Sequence, residues 1–228
     1  MNFFDSIIQD TNACLDGFGR TSYPAQTNWQ DNGRNELVLQ RDAAFELDGV
    51  GFNLVTSKNI ESDEILVIGD DLSEIHGNRT FSRISYIQID DVEDEQKAYD
   101  LIRKIEYAKY HYFPKGYMIR TASDNHKEVV RVSETAIKDG LSFQDVGALL
   151  IGKYKENKAV KAVKIVFVTD SGVDYSTLEN LAKKNYDITE TLNHIMNNIN
   201  FDCSSCKLKP ICDEVEGLKE LHFKNSKM

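Results

Sequence analysis

Long apolar runs and an excess of positive charge are both missing from this sequence of 228 residues. The longest apolar stretches, such as GALLIG at 147–152, are far too short to cross a bilayer. Lys and Arg number 27 against 37 Asp and Glu, and the net charge of −10 repels the phosphate backbone of nucleic acids. The N-terminus, MNFFDSIIQD, lacks the basic start and long apolar run of a secretory signal. These absences predict a cytoplasmic protein that binds neither membranes nor nucleic acids.

Cysteine is scarce as well, and its distribution is uneven. The chain has four cysteines, and Cys203, Cys206 and Cys212 all fall within CSSCKLKPIC at 203–212. Because cytoplasmic thiols stay reduced, this cluster favours metal or redox chemistry over a disulfide framework. Iron–sulfur centres use such closely spaced triplets, whereas structural zinc sites usually show two pairs of ligands. The spacing C-x2-C-x5-C therefore predicts an iron–sulfur cluster, with zinc as the alternative metal.

The sequence alone leaves three candidates for the fourth ligand of this centre. Cys14 completes a predicted set with Cys203, Cys206 and Cys212, although a buried small apolar residue is the alternative interpretation of Cys14. His222, ten residues after Cys212, is a second candidate. A solvent or substrate atom at an open iron is the third.

The periodicity of the apolar residues predicts a mixed sheet with helices packed on it, which is an α+β fold. Gly49 and Gly51 are expected to bound the first strand region, and Ser142 and the pattern Ser176-x-x-Glu179 are expected to cap helices. Strands are predicted at 36–47, 64–69, 81–89, 117–121, 128–133 and 161–169. Helices are predicted at 3–8, 93–112, 133–138, 142–157 and 176–199, the last with a break near 186–187. The expected organisation is an irregular N-terminal arm at 1–35, an α+β domain at 36–199 and a cysteine-rich metal-binding tail at 200–228.

Several segments, taken together in their order along the chain, are informative beyond the local structure that each one predicts. They are AFEL at 44–47, VIGDDLSEI at 67–75, RVSETAIKDGLSFQDVGALLIGKYKE at 131–156 and VKIVFVTD at 163–170, followed by the clustered cysteines. Together they resemble the middle region of the β subunit of carbon monoxide dehydrogenase/acetyl-CoA synthase. The resemblance implies a [4Fe–4S] cubane bridged to a nickel site that joins CO, a methyl group and CoA. Cys203 and Cys206 match the first cysteine pair of that family, and Cys212 stands for its third cysteine at a shorter spacing.

The sequence departs from that family in features that the complete reaction needs. No cysteine follows Cys212, and the family's Cys-Gly-Cys ligand pair for the distal nickel is absent. The family's CoA-contacting tryptophan has no counterpart, since the only tryptophan is Trp29, and Phe113 and Tyr117 are the candidates to replace it. We therefore expect a stand-alone, acetyl-CoA-synthase-like iron–sulfur protein of anaerobic one-carbon metabolism. Electron transfer or an accessory role is expected rather than complete acetyl-CoA synthesis, and no catalytic residue is predicted.

Two further functional interpretations stay open on the sequence. The first is a non-catalytic docking module whose cysteines bind a structural zinc. The resemblance implies a corrinoid protein, a ferredoxin or a carbon monoxide dehydrogenase subunit as partner in either case. The second is a hydrolase built on Asp170 and Ser171, but the sequence has no nucleophile elbow and no glycine-rich phosphate loop. A strand-to-helix turn is the simpler interpretation of those two residues.

Overall fold

A computed structural model describes residues 3–92, 94–120, 126–197, 203, 205–215 and 217–225, without the side chains of residues 95 and 223–225. The described strands are β1 (Thr21–Pro24), β2 (Ala43–Thr56), β3 (Glu64–Ile68), β4 (Arg79–Ile89), β5 (Tyr117–Arg120), β6 (Lys127–Ser133) and β7 (Val160–Val168). The described helices are α1 (Asp5–Cys14), α2 (Glu95–Ala108), α3 (Glu134–Lys138), α4 (Phe143–Lys155), α5 (Tyr175–Met196), α6 (Lys209–Glu214) and α7 (Leu218–Asn225).

The seven strands form one mixed sheet in the order β1-β3-β7-β4-β2-β6-β5. β2 pairs with β4 in parallel and β3 pairs with β7 in parallel, while the other neighbours are antiparallel. The central strand β4 is buried along most of its length, as expected for a strand with elements on both faces. The predicted α+β fold with a mixed sheet is confirmed.

Helices cover the sheet on both faces. On one face, Phe143 of α4 stacks on Phe167 of β7 with ring centroids 4.4 Å apart. On the other face, α1 contacts Tyr86 of β4, whose hydroxyl donates to Asn12 at 2.9 Å. Helix α5 packs against α1, β2 and β4, and it is the longest helix among the described residues. The C-terminal helices α6 and α7 pack on α5.

Gly49 and Gly51 do not end a strand, contrary to the sequence-based expectation. Both lie inside β2, which continues to Thr56. A β-carbon on Gly49 would lie 1.7 Å from the carbonyl oxygen of Phe81 in the neighbouring strand. A β-carbon on Gly51 would lie 1.9 Å from a carboxylate oxygen of Glu128. These glycines are there because the neighbouring strand and a buried side chain leave no space for a larger residue.

Two predictions about the helices were wrong. The predicted break near 186–187 is absent, and α5 runs without interruption from Tyr175 to Met196. The side-chain amide of Asn185 donates to the backbone carbonyl of Asn53 at 2.8 Å, which ties the middle of this helix to β2. The helix is capped by Asp174, not by Ser176. The predicted cap at Ser142 is confirmed, with a complete capping box to Asp145.

The N-terminal region is more regular than the sequence indicated. The helix predicted at 3–8 extends to Cys14, and β1 adds an edge strand beside β3. Trp29 donates its indole hydrogen to the carbonyl of Lys115 at 2.9 Å, and Thr27 donates to Asp145 at 2.5 Å. These contacts join the predicted arm to the rest of the fold.

Candidate metal centre

Cys203, Cys206 and Cys212 line one cavity of about 160 Å³. After Cys206 the chain turns, because the amide of Lys209 donates to the Cys206 carbonyl at 3.2 Å. Pro210 then occupies the first turn of α6, a position where its missing amide hydrogen costs no helical hydrogen bond. The turn and the short helix bring Cys212 back to the cavity that the first two cysteines line. The structure thus brings together three of the four predicted metal ligands.

The remaining walls of the cavity come from α5 and α7. The last turns of α5 contribute Thr191, His194 and Ile195, and α7 contributes Lys219 and His222. The tail is held in place by three buried apolar side chains, namely Val215, Leu218 and Leu221. An ion pair of 2.6 Å between Lys184 and Glu214 adds a polar contact between α5 and α6. Two imidazoles therefore share the cavity with the three thiols.

Burial, and then the neighbouring thiols of Cys206 and Cys203, raise the pKa of the Cys212 thiol above its usual value. This direction follows because a thiolate is disfavoured both by a poorly solvated site and by other developing negative charges. Asp213 is held in ion pairs of 3.2 Å with both Lys209 and Lys219, and hydrogen bonds from these lysines lower its pKa. A metal that binds to Cys212 must therefore displace the proton of its thiol.

Cys14 lies away from this cavity. Its thiol is 3.8 Å from the backbone carbonyl of Asp174, the residue that caps the beginning of α5. The cavity lies beside Thr191 and His194, in the last turns of the same helix. At 1.5 Å per residue, the 17 residues between Asp174 and Thr191 separate the two places by about 25 Å. The structure therefore does not bring Cys14 together with the other three cysteines.

No group of three or more His, Cys, Asp or Glu side chains in the described ranges is placed so that it could hold a metal ion as it stands. The donors share a cavity without surrounding a common point. A four-cysteine cluster does not fit, because Cys14 is too far away. A centre held by three thiolates and one other ligand fits the chemistry of the cavity, provided that the tail donors turn inwards on binding.

A second cavity, which the sequence did not reveal, lies between α2 and α5 and has a volume of about 220 Å³. Its lining includes a stripe on α2 formed by Tyr99, Arg103 and Tyr107 at intervals of four residues. The Arg103 guanidinium lies 5.6 and 5.8 Å from the centroids of those two rings. Tyr107 and Tyr110 are about half exposed. The four-residue repeat was the sequence signal that could have identified this aromatic and basic surface.

Two other candidates from the sequence have structural roles. Tyr117 is 2% exposed in the core, and Gly172 donates its amide hydrogen to the side chain of Asp170 at 2.8 Å. The second contact forms the strand-to-helix turn that was the simpler interpretation of Asp170 and Ser171.

A family model described as the CO dehydrogenase/acetyl-CoA synthase complex beta subunit matches residues 32–173, well over half of the chain. The chain belongs to this family. No curated protein matches the chain significantly.

The part of the chain that matches the acetyl-CoA synthase family contains β2 to β7 and α2 to α4. It ends before α5, so the three tail cysteines and Cys14 all lie outside it. The family assignment confirms the resemblance and indicates acetyl-CoA-synthase-like one-carbon metabolism. No helix in the described part of the chain has the length and apolarity that crossing a membrane requires.

Proposed function

We propose that this protein is an iron–sulfur member of the acetyl-CoA synthase family with an electron-transfer or accessory role in anaerobic one-carbon metabolism. The observation that carries the proposal is the single cavity lined by Cys203, Cys206 and Cys212, beside a fold that belongs to this family. The three cysteines would hold the cluster as thiolates. When bound, the cluster would supply one-electron chemistry or bind a small molecule at an iron without a cysteine ligand.

The role of the protein's own residues is to hold and shield this centre. Leu218 and Leu221 are buried on α7, which packs on α5, and Ile195 adds an apolar side chain to the wall of the cavity. Lys219 lies beside the cavity, and its positive charge partly offsets the burial and the neighbouring thiols that raise the pKa of Cys212. An accessory role is proposed because the four cysteines include no Cys-x-Cys pair for a second metal.

Anaerobic purification tests this proposal directly. We expect a brown protein with about four iron and four sulfide ions per chain, and an electron paramagnetic signal after reduction with dithionite. Cys206→Ser and Cys212→Ser should lose the cluster, whereas Cys14→Ser should retain it and serves as the matched control. A colourless protein with one zinc ion per chain would overturn the cluster and favour the zinc alternative.

The second candidate function is a docking module that uses a structural zinc. The observation that favours it is the exposed pair Tyr107 and Tyr110 beside Arg103 and Lys109, since Tyr and Arg dominate the binding energy of many interfaces. Its partners would be a corrinoid protein, a ferredoxin or a carbon monoxide dehydrogenase subunit.

Anaerobic binding assays with these three purified partners test the docking function. Replacing Tyr107 and Tyr110 together by Ala should weaken binding at least about tenfold. Replacing Leu37 and Leu39, which are 78% and 49% exposed, by Ala provides the control and should leave binding unchanged. If none of the three partners binds at high micromolar concentration, the docking function is wrong.

A further inference from the structure

We infer that an imidazole of the cysteine cavity, from His194 or His222, supplies the fourth protein ligand of the metal centre. This inference rests on the proposed function, because it names the ligand that completes the same site. It replaces the predicted ligand Cys14 by a histidine.

The first step of the inference concerns which side chains can reach the cavity. Cys14 contacts the capping residue of α5, about 25 Å along the helix from Thr191. Ile7 of its helix α1 and Phe4 just before that helix are 0% and 2% exposed and belong to the hydrophobic core. Moving Cys14 to the cavity would require this helix to leave the core, so it cannot serve as the fourth ligand in the folded protein.

The second step concerns the donors that do line the cavity. Besides the three thiols, these are the two imidazoles of His194 and His222 and the carboxylate of Asp213. Asp213 is engaged by Lys209 and Lys219, each at 3.2 Å, so its use as a ligand would break two ion pairs. Imidazole is the favoured fourth donor because it suits zinc and iron, whereas carboxylate suits harder ions such as Mg²⁺ and Ca²⁺. Three thiolates with one histidine form an established ligand set for tetrahedral zinc.

The third step concerns the position of the two histidines in the fold. His194 is on α5, whose neighbouring side chains Leu192 and Ile195 are buried in the core. His222 is on α7 and directly follows the buried Leu221. Either histidine belongs to an element that the core holds in place, whereas the thiols lie on the loop before α6 and on α6 itself. Ligation would thus draw the cysteine segment towards a fixed imidazole.

The ligand can be identified on the wild-type protein without any substitution. The full-length protein is loaded anaerobically with iron and sulfide, or with Zn²⁺ alone. For zinc, X-ray absorption should show three sulfur ligands near 2.3 Å and one nitrogen near 2.0–2.1 Å. For a cluster, pulsed electron paramagnetic resonance should show a nitrogen nucleus coupled to the reduced iron.

Variants then assign the nitrogen to its residue. We expect His194→Gln combined with His222→Gln to weaken metal affinity at least about tenfold, while the single variants show which imidazole ligates. Cys14→Ser and the exposed His76→Gln are matched controls and should bind as the wild type does. Circular dichroism confirms that each variant is folded before the titration.

The outcomes separate the inference from the proposed function. If the wild type binds no metal, both are overturned. If the wild type binds metal through sulfur alone, or the double histidine variant binds within threefold of the wild type, only the histidine ligand is wrong. Loss of metal from Cys14→Ser would also overturn the inference and restore a four-cysteine site.

Discussion

Arg83 places a permanent positive charge in the core, where its side chain is 0% exposed. Its guanidinium donates to both carboxylate oxygens of Glu128 at 2.8–3.0 Å and to the hydroxyl of Ser85 at 2.7 Å. Burial alone would lower the pKa of Arg83, but the Glu128 carboxylate raises it well above its usual value. Arg83 is therefore charged in the core, and the surrounding atoms must keep the geometry of its pair with Glu128 because an unpaired buried charge is very costly.

Gly51 is the position that leaves room for this pair. We predict that Gly51→Ala destabilises the protein by about 1–3 kcal/mol, because the new methyl group would overlap Glu128 and Arg83. Gly152→Ala in α4 is the matched control, since nothing lies within 4 Å of a β-carbon there. That change should instead stabilise the helix by about 0.5–1 kcal/mol. Urea unfolding measures both, and equal effects of the two substitutions would contradict the steric explanation.

The beginning of α5 shows why a capping pattern in the sequence can indicate the wrong residue. Ser176-x-x-Glu179 has the composition of a capping box, but Glu179 forms an ion pair with Lys127 of β6 at 2.5 Å. The cap is supplied two residues earlier by Asp174, which accepts from the amide and the hydroxyl of Thr177. Because Glu179 pairs with a residue of a distant strand, the capping box that Ser176 and Glu179 suggest does not form.

We predict that Asp174→Ala lowers the urea midpoint of unfolding and that Ser176→Ala leaves it unchanged. Hydrogen bonds from Thr177 lower the pKa of Asp174. A lowered carboxyl pKa stabilises the fold above the pKa of the unfolded chain, about 4, and this contribution is lost as the pH falls through the folded-state pKa. The difference between wild type and Asp174→Ala should therefore shrink below about pH 4. If Ser176→Ala alone lowered the urea midpoint, Ser176 and not Asp174 would be the cap of α5.

Contacts made far from the local sequence make the N-terminal region part of the whole fold. Phe4, Ile7 and Leu15 are almost completely buried, and Trp29 is hydrogen-bonded to Lys115. The division of the chain at residues 36 and 200 stays a prediction, because packing of these segments does not measure whether they unfold separately.

The single tryptophan allows that question to be tested. We predict that Trp29 fluorescence and far-ultraviolet circular dichroism report the same urea midpoint, since the first signal follows the N-terminal region and the second follows all helices. Coincident transitions are the usual mark of one cooperative unit. A fluorescence transition at clearly lower urea concentration would show that the N-terminal region detaches before the body unfolds. Trp29→Phe, observed by circular dichroism, controls for any effect of the probe itself.

Much of the fold could be predicted because it is encoded over a few neighbouring residues. The apolar periodicity correctly indicated β3, β4, β7, α2 and α4, and the box at Ser142 correctly indicated the beginning of α4. The ordered segments at 44–170 were sufficient to indicate the acetyl-CoA synthase family. The crowding of three cysteines within ten residues predicted a metal site; the structure places the three along one cavity, and metal binding stays a prediction. Such features need no knowledge of how distant segments meet.

The sequence by itself thus determined the α+β composition, the family and the three clustered thiols, because each depends on short-range patterns or on the order of segments. Only the tertiary structure decided that Gly51 lies under a buried ion pair, since Arg83 and Glu128 are 45 residues apart and meet across β2. It also decided that Cys14 and the tail cysteines lie at opposite ends of α5, and that two histidines face the same cavity as the thiols. Sheet register and helix packing fix these distances, and neither can be derived from the spacing of residues along the chain.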